Sequence, residues 1–276
     1  MVGSITDCAI LNNGVPMPWL GLGVWRMKDG PEVEVAVRAA LETGYRSIDT
    51  AAAYGNEVGV GKGIQASNVP REQIFVTTKV WNSDHGYGTT LKAFDESRGK
   101  LGLDTIDLYL IHWPVKGRYK ETWRAMEKLY ADGAVRAIGV SNFHIHHLED
   151  LLGDCEVKPT VNQVECHPYL TQEALRRFCS DNQVQLEAWS PLVEGRALAD
   201  PTIVDISKRY DKTPAQILIR WDLQHQVVTV PKSRHRHRIV ENSQVFDFEL
   251  ADDDMALIDG LNKNRRVGPE PDNFNF

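Results

Sequence analysis

An α/β fold, a (β/α)8 TIM barrel with a short N-terminal β-hairpin, is predicted by three observations. Short apolar runs rich in leucine and β-branched residues alternate with amphipathic stretches such as EVEVAVRAALETG (32–44) and TTLKAFDESRGKLG (89–102), the pattern of βα units and a parallel sheet. There are eight such runs in 276 residues, which matches a closed barrel. The runs also close on polar residues, namely Asp49, Lys79, His112, Asn142, Gln163, Ser190 and Lys232. Side chains that leave a packed barrel interior and face a shared mouth are expected at those ends.

Taken in order, residues 8–18 (CAILNNGVPMP) read as two short strands around an Asn13-Gly14 turn, a dipeptide that accepts the positive φ of a tight hairpin. The barrel strands follow at 19–25, 46–49, 74–79, 106–112, 134–142, 159–163, 184–190 and 227–233. A doubly wound sheet would carry a GxGxxG turn after its first strand. Here Arg26 stands where the third glycine would follow Gly21 and Gly23, and Gly59-Val60-Gly61 lies within a helical pattern, so both pairs read as packing glycines. No linker, repeat or low-complexity tract intervenes before the polar tail that follows Leu261, and residues 1–276 read as one domain.

A formal net charge of −7 gives no long-range attraction for nucleic acid or an anionic membrane, so any anion must be held by a local basic cluster. The expected partner is a small molecule. Cys8, Cys155, Cys166 and Cys179 form no CxxC pair and are too sparse for a disulfide framework. With neither a basic leader nor an apolar signal region in MVGSITDCAI, and no apolar run of membrane-spanning length, a cytoplasmic monomer is expected.

Four segments carry the chemistry. In GYRSIDTAAAYGNE (44–57), Asp49 ends a strand and Tyr54 follows on the loop before the next helix. Lys79 closes the next strand, LIHWP holds His112 and Trp113, and VPKSRHRHRIVEN spans 230–242. In order and spacing these segments resemble the aldo-keto reductases, and the resemblance covers essentially the whole chain. The residues make chemical sense on their own terms. Reducing a carbonyl by hydride transfer leaves negative charge on oxygen, which needs a proton donor and a polar pocket. Tyrosine is a weak acid, a nearby ammonium such as Lys79 favours its ionised form, and Asp49 can hold that ammonium in place. A neutral His112 can donate a hydrogen bond to the substrate oxygen. The resemblance implies the same four roles. Taken singly, Asp49 and Lys79 would be a structural ion pair and His112 a satisfied core histidine; four polar residues at strand ends of one barrel weigh against that.

Lys232, Ser233 and Arg238, with His235 and His237 between them, form a basic cluster just past the last strand, where βα barrels commonly bind phosphate. The resemblance implies that these three hold the 2′-phosphate of NADPH/NADP+, with Glu241 and Asn242 near the adenine. It also implies that Ser141, Asn142 and Gln163 meet the nicotinamide amide. Trp189 takes a position that is tyrosine in many members and keeps a flat face for the nicotinamide ring. The loop from Ser190 through Leu192 to Gly195 is expected over the pyrophosphate. Trp25, Tyr54, Trp81 and Trp113, with His112, are the expected walls of the substrate pocket, which the short tail RVGPEPDNFNF should leave rather open. The HIHH run (144–147) and the Cys166-His167 pair have no partner at zinc-site spacing, and no metal is expected.

The resemblance thus points to NADPH-dependent reduction of small aldehydes and ketones, similar to the glyoxal and methylglyoxal reductases and the 2,5-diketogluconate reductases. A prostaglandin F synthase-type ketone or endoperoxide reductase is the alternative within the family. A nucleotide-binding regulatory barrel without turnover is the alternative outside it, disfavoured because a binding protein has no use for all four catalytic residues.

Overall fold

The computed structural model describes residues 2–274. It opens on the expected hairpin, β1 (Cys8–Ile10) antiparallel to β2 (Pro16–Pro18). The turn differs from the Asn-Gly turn expected. Only Gly14 has positive φ, at 84°, and its N–H reaches the Leu11 carbonyl at 2.8 Å. A type I turn followed by one left-handed residue does the work, because Asn13 is fixed otherwise: its amide donates to the Arg136 carbonyl at 3.0 Å. Ala9, Leu11 and Met17 form a separate apolar cluster with Phe75, Leu108, Leu110, Ala137, Val161 and Val228. The hairpin therefore seals the end of the barrel opposite the polar strand ends.

The barrel strands are β3 (Leu22–Gly23), β4 (Ser47–Asp49), β5 (Phe75–Val80), β6 (Ile106–Ile111), β7 (Val135–Ser141), β8 (Val161–Glu165), β9 (Gln185–Trp189) and β10 (Val228–Thr229). Each pairs in parallel with its sequence neighbour. Bridges between Leu20 and Thr229 and between Gly23 and Lys232 close the ring. The closing strands are much shorter than the runs at 19–25 and 227–233. Pro231 has no N–H to continue the ladder, and the two segments approach so closely that a Cβ at Gly23 would lie 2.8 Å from the Val230 carbonyl oxygen.

Around the sheet lie α1 (Pro31–Thr43), α2 (Glu57–Gln65), α3 (Tyr87–Leu101), α4 (Tyr119–Ala131), α5 (Ile145–Leu152), α6 (Glu173–Asp181), α7 (Pro201–Arg209), α8 (Pro214–Gln224), α9 (Arg236–Ser243) and α10 (Asp252–Asp259). The first shows the local logic. Pro31 starts it, Glu32 and Glu34 sit near the positive end of its dipole, Val33, Ala36, Val37, Ala40 and Leu41 are buried, and Gly44 at φ 109° ends it. A Cβ at Gly61 of α2 would overlap the backbone of Leu101, which makes that pair of glycines a packing device, as expected. Two helices, α7 and α8, fill the connection from β9 to β10 that a regular barrel spans with one. Among the described residues, no helix is long and apolar enough to cross a membrane.

Candidate active site

Two strand ends and the turn after the first converge at one lysine. Asp49 ends β4, Lys79 is the penultimate residue of β5, and Tyr54 closes a short 3-10 turn after β4. The fully buried Lys79 ammonium donates to both Asp49 carboxylate oxygens at 2.8 Å, to the Thr50 carbonyl at 2.9 Å and, at 3.5 Å, to the Tyr54 hydroxyl. Its three protons are thereby directed, one of them at the tyrosine oxygen. His112, just past β6, presents its ring edge-on to Tyr54 with centroids 5.7 Å apart and to Trp81 at 5.1 Å.

Burial raises the Tyr54 pKa more than Lys79 lowers it. The pull of the lysine toward ionisation expected from the sequence is present, but loss of solvent outweighs it, so Tyr54 keeps its proton at neutral pH. For Lys79, burial opposes the ammonium, yet Asp49 and Tyr54 together carry its pKa upward. His112 is pushed well below the ordinary histidine value by burial and by the neighbouring charges of Lys79 and His85, so it stands neutral.

Beside this centre lies a saturated amide cluster. Ser141 donates its hydroxyl proton to the Gln163 backbone carbonyl at 2.8 Å, and the Asn142 side-chain amide donates to the His112 backbone carbonyl at 2.9 Å and to Ser141 Oγ at 3.1 Å. Trp189, the last residue of β9, donates its indole N–H to Asn142 Oδ1 at 2.9 Å. Tryptophan here thus fixes an amide as well as presenting a ring face. Gln163 does not end its strand as expected: β8 continues to Glu165, because Val164 and Glu165 still pair with Ala188 and Trp189. The Gln163 side-chain amide nitrogen bridges Asp49 Oδ2 at 2.7 Å and Glu187 Oε2 at 2.9 Å, which leaves its side-chain oxygen, Oε1, for a ligand.

Glu187 is a site residue the sequence reading missed. It is buried in the middle of β9, and burial, reinforced by Asp49, pushes its pKa up to about 8. The signal was present, since an acid inside VQLEAWS stands two residues before Trp189 and so on the same face of the strand.

Apart from Lys79, which lies behind Asp49 and Tyr54, every residue expected in the site lines one groove of about 1150 Å³. Trp25, Trp81, Trp113 and His112 wall the end near Tyr54, and Ser190 and Leu192 follow from Trp189. Lys232, Ser233, Arg238, Glu241 and Asn242 line the far end. Of the basic run there, Arg234 and Arg236 are paired with Glu32 and Glu42 of α1 at 3.5 and 2.7 Å. Lys232 and Arg238 make no ion pair among the described residues and face the groove. Arg26, whose guanidinium stacks on Trp25 at 3.9 Å, reaches Glu194 at 3.0 Å and so links two lips of the groove.

The short tail nevertheless packs along the groove. The buried Glu165 carboxylate accepts the Val267 and Gly268 N–H groups at 2.5 and 3.0 Å, and a Cβ at Gly268 would run into the Trp189 ring. Phe274 packs on Trp113 with ring centroids 4.3 Å apart. Glu165 follows Gln163 by two residues, a spacing that could have revealed it, whereas the tail carries no periodicity to place it.

A model of the family described as "Aldo/keto reductase family" matches residues 19–263. The chain is 58% identical over 276 residues to the glyoxal reductase of Bacillus subtilis, covering 100% of both chains. It is 55% identical over 271 residues to the 9,11-endoperoxide prostaglandin H2 reductase of Trypanosoma cruzi, covering 97% of this chain and 96% of that one. A crystal structure of a Gox0644 mutant in complex with NADPH superposes with a TM-score of 0.92 at 43% identity, over 98% of this chain and 99% of that one.

Proposed function

The chain belongs to the aldo-keto reductase family, and from that premise we propose that it reduces small aldehydes and ketones, glyoxal and methylglyoxal foremost, with NADPH as the reductant. The observation that carries the reading is the hydrogen-bonded set of Asp49, Lys79 and Tyr54 with neutral His112 at one end of a groove whose other end presents Lys232 and Arg238 unpaired.

The residues fit the cofactor on this chain's own features. Two unpaired cations and the buried Ser233 suit a phosphate ester, and a glutamine oxygen left open by two carboxylates suits a carboxamide N–H. When bound, the reduced nicotinamide supplies hydride. Lys232 and Arg238 hold the phosphate end, while Gln163, held by Asp49 and Glu187, and Trp189 orient the other. His112 donates a hydrogen bond to the substrate oxygen. Tyr54, which keeps its proton at neutral pH, passes it to that oxygen as negative charge develops, and the Lys79 ammonium stabilises the phenolate left behind. The aromatic walls keep water out and set the size of carbonyl admitted.

The test is loss of NADPH absorbance with glyoxal, methylglyoxal, 2,5-diketogluconate and a prostaglandin endoperoxide, each repeated with NADH. Turnover of the dicarbonyls with NADPH is expected. Cofactor binding without turnover of any carbonyl would instead make the protein a nucleotide-binding barrel.

A further inference from the structure

The HIHH run finds in three dimensions the partners it lacks in sequence. His144 caps the start of α5, and His146 and His147 lie in its first turn. The C-terminal tail brings Glu270 and Asp272 to the same place: His144 Nε2 lies 2.5 Å from Glu270 Oε1, across a separation of 126 residues. His146 Nε2 and His147 Nε2 lie 3.1 and 3.4 Å from one oxygen, Asp272 Oδ1.

We propose that His146, His147 and Asp272 form a binding site for one divalent transition-metal ion of the zinc class, which clasps the tail to α5. Bonds of about 2.0–2.2 Å at tetrahedral to octahedral angles place ligating atoms about 2.9–3.5 Å apart. Both His–Asp separations already meet that spacing, and the three ligating atoms all lie within 4.8 Å of one another, so chelation needs only a small closing motion of the two imidazoles. Two imidazoles and a carboxylate suit zinc, nickel or copper and leave a coordination position for water. The His144–Glu270 pair flanks the ion, and Arg266, 2.8 Å from the other Glu270 oxygen, balances that acid.

Ligation has one local cost. His147 Nδ1 accepts the His144 backbone N–H at 3.2 Å, so the metal-free ring carries its proton on Nε2. Coordination through Nε2 moves that proton to Nδ1 and breaks the cap. One long hydrogen bond is lost against three metal–ligand bonds gained, and the balance favours the ion.

The site bears on the groove because the same tail lines it. Val267 and Gly268 are held on Glu165, and Phe274 packs on Trp113, on either side of the ligand Asp272. An ion at the clasp pins this segment, so its effect falls on KM for the carbonyl and leaves kcat near its metal-free value.

The deciding experiment uses the full chain without a histidine tag, stripped with a chelator and titrated calorimetrically with zinc chloride in the absence of cofactor and substrate, so its outcome is independent of the proposed reductase activity. One zinc ion per chain and a raised unfolding temperature are expected. His146→Ala and Asp272→Asn should each weaken binding roughly tenfold or more. The His146 side chain is 60% exposed and that of Asp272 46%, so the variants should fold. With cobalt in place of zinc, the visible spectrum should show ligand-field bands without thiolate charge transfer. The site is refuted by the absence of saturable binding, by binding that both variants leave unchanged, or by a thiolate band that assigns the ion to a cysteine.

Discussion

At the scale of single residues, the site depends on charges placed where water cannot reach them. Lys79 is fully buried and donates to both Asp49 carboxylate oxygens, so Asp49→Ala leaves an ammonium without its counterion and should cost about 3–5 kcal/mol of stability along with activity. Adding Lys79→Met should restore much of the stability and none of the activity, as urea unfolding and NADPH consumption would show. Equal stability of the single and double variants would contradict the pairing. Glu187 makes a prediction about pH. Folding raises its pKa from 4.5 to about 8, so between those values the folded chain binds a proton that the unfolded chain has released. Its contribution to stability therefore declines as pH rises through that window. Glu187→Gln still offers an acceptor to the Gln163 amide and should flatten the decline. Unfolding curves of the two proteins that fall in parallel with pH would show that the group is not titrating there.

At the scale of elements, the barrel was legible because its signals are repeated. Eight apolar runs, seven of them closed by a polar residue, leave little choice of fold, and Asp49, Lys79 and His112 could be placed because they stand at or beside the ends of such runs. What could not be read depends on contacts between distant segments. The tail that covers Trp189 and Trp113 has no hydrophobic period, and although the spacing from Gln163 could have marked Glu165 as a site residue, its role as the tail's anchor is formed only in the fold. The early end of β10 was signalled by Pro231, but the extra helix before it was not. The hairpin is a separate case, since its inward residues seal the barrel from below. Met17 is fully buried there, so Met17→Ala should cost about 2–5 kcal/mol by leaving a cavity. Because the site lies at the opposite end, kcat of the folded variant should stay near wild type. A large loss of kcat at full folding would show that the two ends of the barrel are coupled.

At the scale of the whole molecule, a chain with a net charge of −7 gathers positive charge at one end of one groove. Arg234 and Arg236 pair with Glu32 and Glu42 of α1, so the groove-lining cations of this run that make no ion pair among the described residues are Lys232 and Arg238. NADPH should therefore bind more tightly than NADH. Arg238→Ala should remove one charge-assisted contact, about 1.5–3 kcal/mol or roughly tenfold to over a hundredfold in NADPH affinity, with little effect on NADH. Added salt should narrow the difference between the cofactors, because the contact is exposed. Fluorescence titrations giving equal loss of both cofactors in the variant would make the basic end structural.

The central claim is that Tyr54 delivers the proton, under the charge of Lys79, to a carbonyl held by His112. Its most direct measurement is single-turnover reduction of methylglyoxal by Tyr54→Phe at neutral pH, with the NADPH affinity of the same preparation measured alongside. The ring stays and the proton goes, so the rate should fall by orders of magnitude while NADPH binds as in the wild type. A variant that binds NADPH normally and retains most of its rate would contradict the account.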